Sequence, residues 1–154
     1  RLNSTQPEEL KHGIRENGWL PNLTNQTSDE RSQRIQSKVN DYAAEQIGET
    51  WPGDSNIHGL SQTIDFLLQR PHHPRIILLR VPVTESMLQL ENQRFPNFNQ
   101  ILSEYAVRYG IEYIDGNVLC PQISDDLFAD GHHLHRIGAD EFSACIGNEI
   151  LKSH

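Results

Sequence analysis

Arg75-Ile-Ile-Leu-Leu-Arg-Val-Pro-Val83 is a near-continuous apolar run bounded by Pro74 and Pro82. Such a run reads as a strand covered on both faces, the type found in parallel sheets. Pro82 falls where the ladder would end, because proline has no N–H to give it. After a polar stretch read as a loop, Phe98, Ile101, Leu102, Tyr105, Ala106 and Tyr109 recur at helical spacing and make one unbroken apolar face. Gly110 stands where a helix C-cap needs a left-handed residue. Ile111-Glu-Tyr-Ile-Asp115 then reads as a second short strand. Strand, helix and strand in this order form a βαβ unit with a right-handed crossover.

Helices flank this unit on both sides. Upstream, Thr27 and Glu30 have capping-box spacing, and Ile35, Val39, Tyr42, Ala43 and Gln46/Ile47 form a narrow stripe before Gly48. Trp51-Pro-Gly-Asp-Ser-Asn56 is a turn-rich break. Ile57, Leu60, Ile64, Leu67 and Leu68 then restore helical spacing up to Arg70, and Pro71 ends that helix. Downstream, a last helix from Arg136 to Leu151 aligns Phe142, Cys145, Ile146, Glu149 and Ile150. The class is therefore α/β. Two strands are fewer than the about 5 to 6 of an ordinary sheet. The chain also opens on Arg1 rather than Met. The expectation is that earlier strands lie upstream of Arg1.

Composition narrows the partners. The 154 residues match one domain. Only 36% are apolar and the mean hydropathy is -0.60, so much of the chain should be solvated loop or surface helix. A net charge of -8 and a pI near 5.4 disfavour a nucleic-acid groove or an anionic membrane surface. No apolar run approaches the length of a membrane helix, and no signal peptide is visible. Residues 1–27 are polar, with Asn-x-Ser/Thr acceptors at Asn3, Asn22 and Asn25, and Trp19 with Leu20 as the only anchors. Cys120 and Cys145 lack CxxC spacing, and a single bridge is all they can form.

The chemistry concentrates in Phe128-Ala-Asp-Gly-His-His-Leu-His-Arg-Ile-Gly-Ala-Asp-Glu-Phe142. Asp130 precedes His133 by three positions on a Gly-containing turn that leads into the last helix. In open parallel sheets, sites gather beyond the carboxyl ends of the strands, and this segment follows the last strand. His133 could take a proton from a hydroxyl nucleophile and return it to a leaving group, while Asp130 orients the ring and stabilises the imidazolium.

The segments Arg75–Val83, Phe98–Gly110, Ile111–Asp115 and Phe128–Gly138 together resemble the C-terminal half of an SGNH (GDSL-type) hydrolase domain. They are most similar to bacterial membrane-anchored or secreted members. Leu134 and Gly138 match the family's His-Leu-x-x-x-Gly continuation, and His135 stands where the family usually has Asn. The resemblance implies a three-layer α/β/α flavodoxin-like fold with a parallel sheet, of which only the C-terminal strands and helices are present. Residues 1–56 would be a polar, partly helical insertion or lid, and residues 57–154 the C-terminal part of the domain. It further implies a serine hydrolase or acyltransferase acting on an ester or O-acyl group of a small molecule or glycan, with Asp130 and His133 catalytic. No metal or organic cofactor is implied. Location would be extracytoplasmic or membrane-anchored through an upstream segment, with no membrane contact from this chain.

The family's nucleophile lies in a Gly-Asp-Ser block, which Gly53-Asp54-Ser55 spells. That block needs a buried strand before it, and Glu45-Gln-Ile-Gly-Glu-Thr-Trp-Pro52 offers none. Asp54 or Ser55 is instead expected to cap a helix starting near Ile57. Asn40-Asp41 echoes the family's Gly-x-Asn-Asp block, but Lys38 replaces the glycine, in a polar helix. The serine, glycine and asparagine blocks are thus expected upstream of Arg1, leaving this chain inactive alone. Two rival readings stand beside this one. One is a non-catalytic SGNH-like domain that binds a glycan or protein through the same rim. The other is a His-rich metal module using His132, His133 and His135, with His72-His73 as a further pair. No Cys, Asp or Glu at ligand spacing is evident beside those histidines, and His72-His73 precede the strand at the opposite rim.

Overall fold

A computed structural model describes residues 27–45, 54–72 and 74–152. The acceptors at Asn3, Asn22 and Asn25, the Trp19–Leu20 anchor, Gln46, Ile47, Gly48, Trp51–Gly53 and His73 lie outside them. In order, the elements are α1 (Ser28–Ala44), α2 (Asp54–Leu68), β1 (Ile77–Arg80), α3 (Glu85–Arg94), α4 (Phe98–Tyr109), β2 (Glu112–Asp115), α5 (Gly116–Leu119) and α6 (Arg136–Lys152). A 3₁₀ turn, Asp125–Leu127, precedes α6. The molecule is helix-rich with a small parallel sheet, in keeping with the α/β class.

β1 and β2 pair in parallel, with Ile77 opposite Glu112 and Arg80 opposite Asp115. Among the described residues they are the whole sheet. β1 is shorter than the Arg75–Val83 run, and it is not covered on both faces. Leu79 is 40% exposed and Val81 is exposed as well. Pairing stops at Arg80, two residues before Pro82. At the opposite end Arg75 grips Glu112 through two bonds of 2.6 and 2.8 Å and reaches the Ile150 carbonyl at 3.0 Å, fastening α6 to the start of the sheet.

α4 forms where its apolar face demands, and Gly110 ends it at φ 63°. The stretch before it is not a loop. Residues Glu85–Arg94 form α3, whose apolar positions are too few for a clear stripe but whose Glu, Met, Leu, Gln and Arg are strong helix formers. Its cap comes from a distance: the Glu85 N–H donates to Asp125 Oδ1 at 3.0 Å. α2 begins at Asp54, not near Ile57, so Asp54 and Ser55 lie in its first turn rather than in a preceding turn.

α1 has the expected capping box, with the Glu30 N–H on Thr27 Oγ1 and the Thr27 N–H on Glu30 Oε2. Its inner stripe differs from the expectation. Arg31, Ile35, Lys38, Val39 and Tyr42 are half-buried, while Ala43 is exposed. The Arg94 guanidinium holds the Tyr42 and Glu45 carbonyls, docking α1 on α3.

The core joins Cys120, Ile123, Phe128, Phe142 and Ile146, with Ile114, Leu127 and Leu134 against it. Two glycines allow the close approach. A Cβ on Gly116 would stand 2.7 Å from the Arg80 carbonyl oxygen, and one on Gly138 2.4 Å from that of Leu127. Cys120 and Cys145 are bridged, tying the end of α5 to α6 across 25 residues. A cross-link over a loop of this length stabilises by about 3 kcal/mol through the unfolded chain's lost entropy. The Cys120→Ser, Cys145→Ser double variant is expected to lose about that much in urea denaturation, and a loss under about 1 kcal/mol would refute the role given to the bridge.

Candidate active site

The segment from Leu127 to His135 is pinned as a narrow loop. Phe128 and Leu134 form an antiparallel bridge, the Ala129 N–H donates to the His133 carbonyl at 2.7 Å, and the His135 N–H donates to that of Leu127 at 3.0 Å. Phe128 beneath it is fully buried. Asp130 is therefore presented at the tip of a loop whose base cannot slide.

At the tip, Asp130 Oδ1 accepts the backbone N–H groups of His132 and His133, each at 3.0 Å. This is the local turn that aspartate favours. The same carboxylate meets His133 Nδ1 at 2.9 and 3.0 Å. With Asp130 ionised, Nδ1 carries the proton and donates, and the Nε2 lone pair is the ring's basic position. The His133 side chain is 60% exposed and that of Asp130 27%. Partial burial pushes the Asp130 carboxyl up. The His132 N–H, the His133 ring and the His133 N–H outweigh it and hold the group below the usual 3.8. Both residues expected from sequence are thus brought together as a hydrogen-bonded pair.

The loop is fastened to the sheet by a residue that sequence reasoning missed. Thr84, fully buried just beyond β1, donates to the Gly131 carbonyl from its N–H at 3.1 Å and from Oγ1 at 3.0 Å. Its hydroxyl consequently leaves α3 uncapped from its own side chain. Thr84 links the carboxyl end of β1 to the turn holding Asp130, so the dyad lies at the rim where sites gather in parallel sheets. Gly131 fits closely there: a Cβ would meet Met87 Cε at 2.8 Å and Lys38 Cβ and Cγ at 3.4 Å. α1 therefore lies beside the site. A signal for Thr84 existed only as a Thr directly after a strand, which is too common to select.

His132 stacks obliquely on His133, centroids 4.1 Å apart. Burial lowers its pKa below 6.5, and the neighbouring His133 charge adds to that, against Asp130. His135 has a different role. It is buried, its Nε2 contacts the Asp126 carbonyl at 2.9 Å, and its Nδ1 accepts the Gly138 N–H at 3.3 Å. That is a structural histidine closing the start of α6. The histidine cluster therefore loses His135 and gains Asp130, contrary to the view that no carboxylate accompanies it. His72 is exposed ahead of β1, at the other rim. Asn40 and Asp41 sit on the solvated face of α1, where Gln36 Nε2 donates to Asn40 Oδ1.

No described hydroxyl or thiol hydrogen-bonds His133. A groove of about 430 Å³ opens beside the rim between Val83, Glu85 and Leu88 on one side and Asn117, Ile123 and Asp125 on the other. Asp130 and His133 do not line it. No described helix is long and apolar enough to cross a membrane. Comparison with protein-family models, curated proteins and solved structures finds no match.

Two outcomes follow from this geometry. Thr84→Val removes one of two bonds to a buried carbonyl and is expected to cost about 1 to 2 kcal/mol in thermal or urea unfolding, and to broaden the His133 ring resonances. An unchanged stability and spectrum would show that Thr84 does not position the loop. The second concerns pH. His132 has a folded pKa below 6.5 and Asp130 one below 3.8. In each case the unfolded chain binds the proton more readily, so stability falls on acidification. The Asp130 contribution is present above 3.8 and lost as pH drops through its lower folded value. The stability gap between wild type and Asp130→Ala should therefore close below pH 3.8, and a gap that widens there would contradict the assignment.

Proposed function

We propose that Asp130 and His133 are the acid–base half of an SGNH-type serine hydrolase or acyltransferase site acting on an ester or O-acyl group. The observation that carries this reading is the 2.9 Å contact between His133 Nδ1 and Asp130, with the rest of the imidazole open to solvent at the carboxyl rim of a parallel sheet. The flavodoxin-like three-layer architecture belongs to the same proposal. In it the serine comes from outside the described residues.

His133 Nε2 would remove the hydroxyl proton as the serine oxygen attacks the ester carbonyl. The resulting imidazolium is stabilised by the Asp130 carboxylate, which itself stays ionised. The ring then gives the proton to the departing alkoxide, leaving an acyl-serine. Water, or an acceptor hydroxyl in a transferase, repeats the sequence and restores the serine. An Asp130 anchored by two backbone N–H groups suits this role because it holds the tautomer without moving. The Cys120–Cys145 bridge supports an oxidising compartment for this chemistry.

A second reading, a non-catalytic domain binding a glycan or protein through the same rim, is favoured by one observation: no described hydroxyl or thiol reaches His133. A serine-directed phosphonate probe separates the two, labelling the enzyme and not the binder. In the protein that carries this chain, His133→Ala is expected to lower turnover of an acetyl ester by roughly six orders of magnitude, with the fold retained by circular dichroism. Normal turnover by that variant would overturn the assignment.

A further inference from the structure

Asp130, His132 and His133 each offer one ligand atom, and the three atoms lie within 4.8 Å of one another. One carboxylate and two imidazoles is a donor set suited to Zn²⁺ and other borderline transition cations, and poorly suited to Mg²⁺. With Zn–N and Zn–O distances of about 2.0 to 2.2 Å, tetrahedral donors stand roughly 3.4 Å apart. Asp130 and His133 already meet at 2.9 Å. The remaining closure is on the order of 1 Å, within reach of a side-chain rotation for a half-buried and an exposed ring. Asp130 needs no ordering, because the His132 and His133 N–H groups hold Oδ1 in place. Lys38 of α1 and Glu91 of α3 act on His132 with opposite signs. The chain's net charge of -8 favours a cation.

We propose that Asp130, His132 and His133 bind one divalent transition cation of the Zn²⁺ class, with the remaining coordination positions open to solvent. His135 takes no part, since both ring nitrogens are engaged in the core. The proposal stands apart from the hydrolase reading, because it needs no nucleophile and is read without turnover.

The test is titration of the 154-residue chain with Zn²⁺, followed by calorimetry and by thermal unfolding, with Mg²⁺ as the hard-cation control. One Zn²⁺ per chain and a raised Tm are expected, with no response to Mg²⁺. His132→Ala and Asp130→Asn should each weaken binding by about tenfold or more, since losing even a group that only orients a ligand costs about 10- to 100-fold. His72→Ala, an exposed histidine at the other rim, should bind like wild type. His132→Gln guards against a folding defect: it keeps side-chain bulk, and its circular dichroism should match wild type while its Zn²⁺ affinity falls. Absence of any Zn²⁺ heat or Tm shift at millimolar metal would overturn the site. So would an unaltered response in His132→Gln. In the metal-free protein that carries this chain, an ester-hydrolysis assay that fails would sink only the hydrolase reading, and ester turnover there with no Zn²⁺ binding would sink only this one.

Discussion

The arrangement depends first on a buried charge. Arg80 ends β1 with 8% exposure, and its guanidinium meets Glu91 Oε2 at 2.7 Å, Asn99 Oδ1 at 2.7 Å and Asp115 Oδ2 at 3.4 Å. It also lies 5.0 Å from the centre of the Phe98 ring. A buried guanidinium is costly unless its forked donors find acceptors, and here they come from α3, α4 and β2. Asn99 Nδ2 in turn donates to Asp115 Oδ2, and the Tyr113 hydroxyl donates to Asn99 Oδ1. Burial and the nearby Asp115 charge push that hydroxyl up to about 12, which keeps it a donor. No two of these elements can shift relative to each other without stranding a charge. The net gain in stability from such a cluster is small, but it removes alternatives.

That constraint propagates to the site through four residues. Arg80 fixes where β1 stops, and Thr84 follows it closely enough to have its position dictated. The Val83 N–H donates to Asn117 Oδ1 at 3.0 Å, and Asn117 is itself held by Asp115. Thr84 is therefore anchored from the sheet side before it reaches across to Gly131. From the other side, the Phe128–Leu134 bridge and His135 hold the loop on the core closed by Phe142 and the disulfide. Asp130 is squeezed between two independently fixed bodies. Those bodies fix where the loop stands, while the Asp130 turn itself is made locally.

Much of this was legible in the sequence, and the reasons differ by element. The capping box of α1 and the stripe of α4 with Gly110 are local patterns, settled within one turn or one helix. The parallel pairing of β1 and β2 followed from the order of strand, helix and strand. The Asp130–His133 contact was visible because their three-residue separation on a turn nearly forces it. What escaped has long-range causes. α3 lacks a stripe and borrows its cap from Asp125. Arg80 hid inside an apolar run, because nothing local announces three acceptors on three other elements. Arg31 and Lys38 stand on the inner side of α1 and were passed over, although the aliphatic stem of Lys38 lies against Gly131 of the site loop. His135 looked like a neighbour of the exposed histidines and is a core residue, a distinction that only the position of Gly138 and Asp126 decides.

The same pair of side chains supports two chemistries that exclude one another. A base needs a free lone pair on His133 Nε2 and an Nδ1–H directed at Asp130. A cation bound at Nε2 occupies that lone pair, and a cation bound at Nδ1 displaces the proton that Asp130 holds in place. Either mode removes the base. Metal at this rim would therefore act against proton transfer, not assist it, and His132 would decide the balance. Its side chain makes no hydrogen bond to Asp130 or His133, yet without that imidazole a metal would keep only one imidazole and one carboxylate, too few for firm binding of a borderline cation.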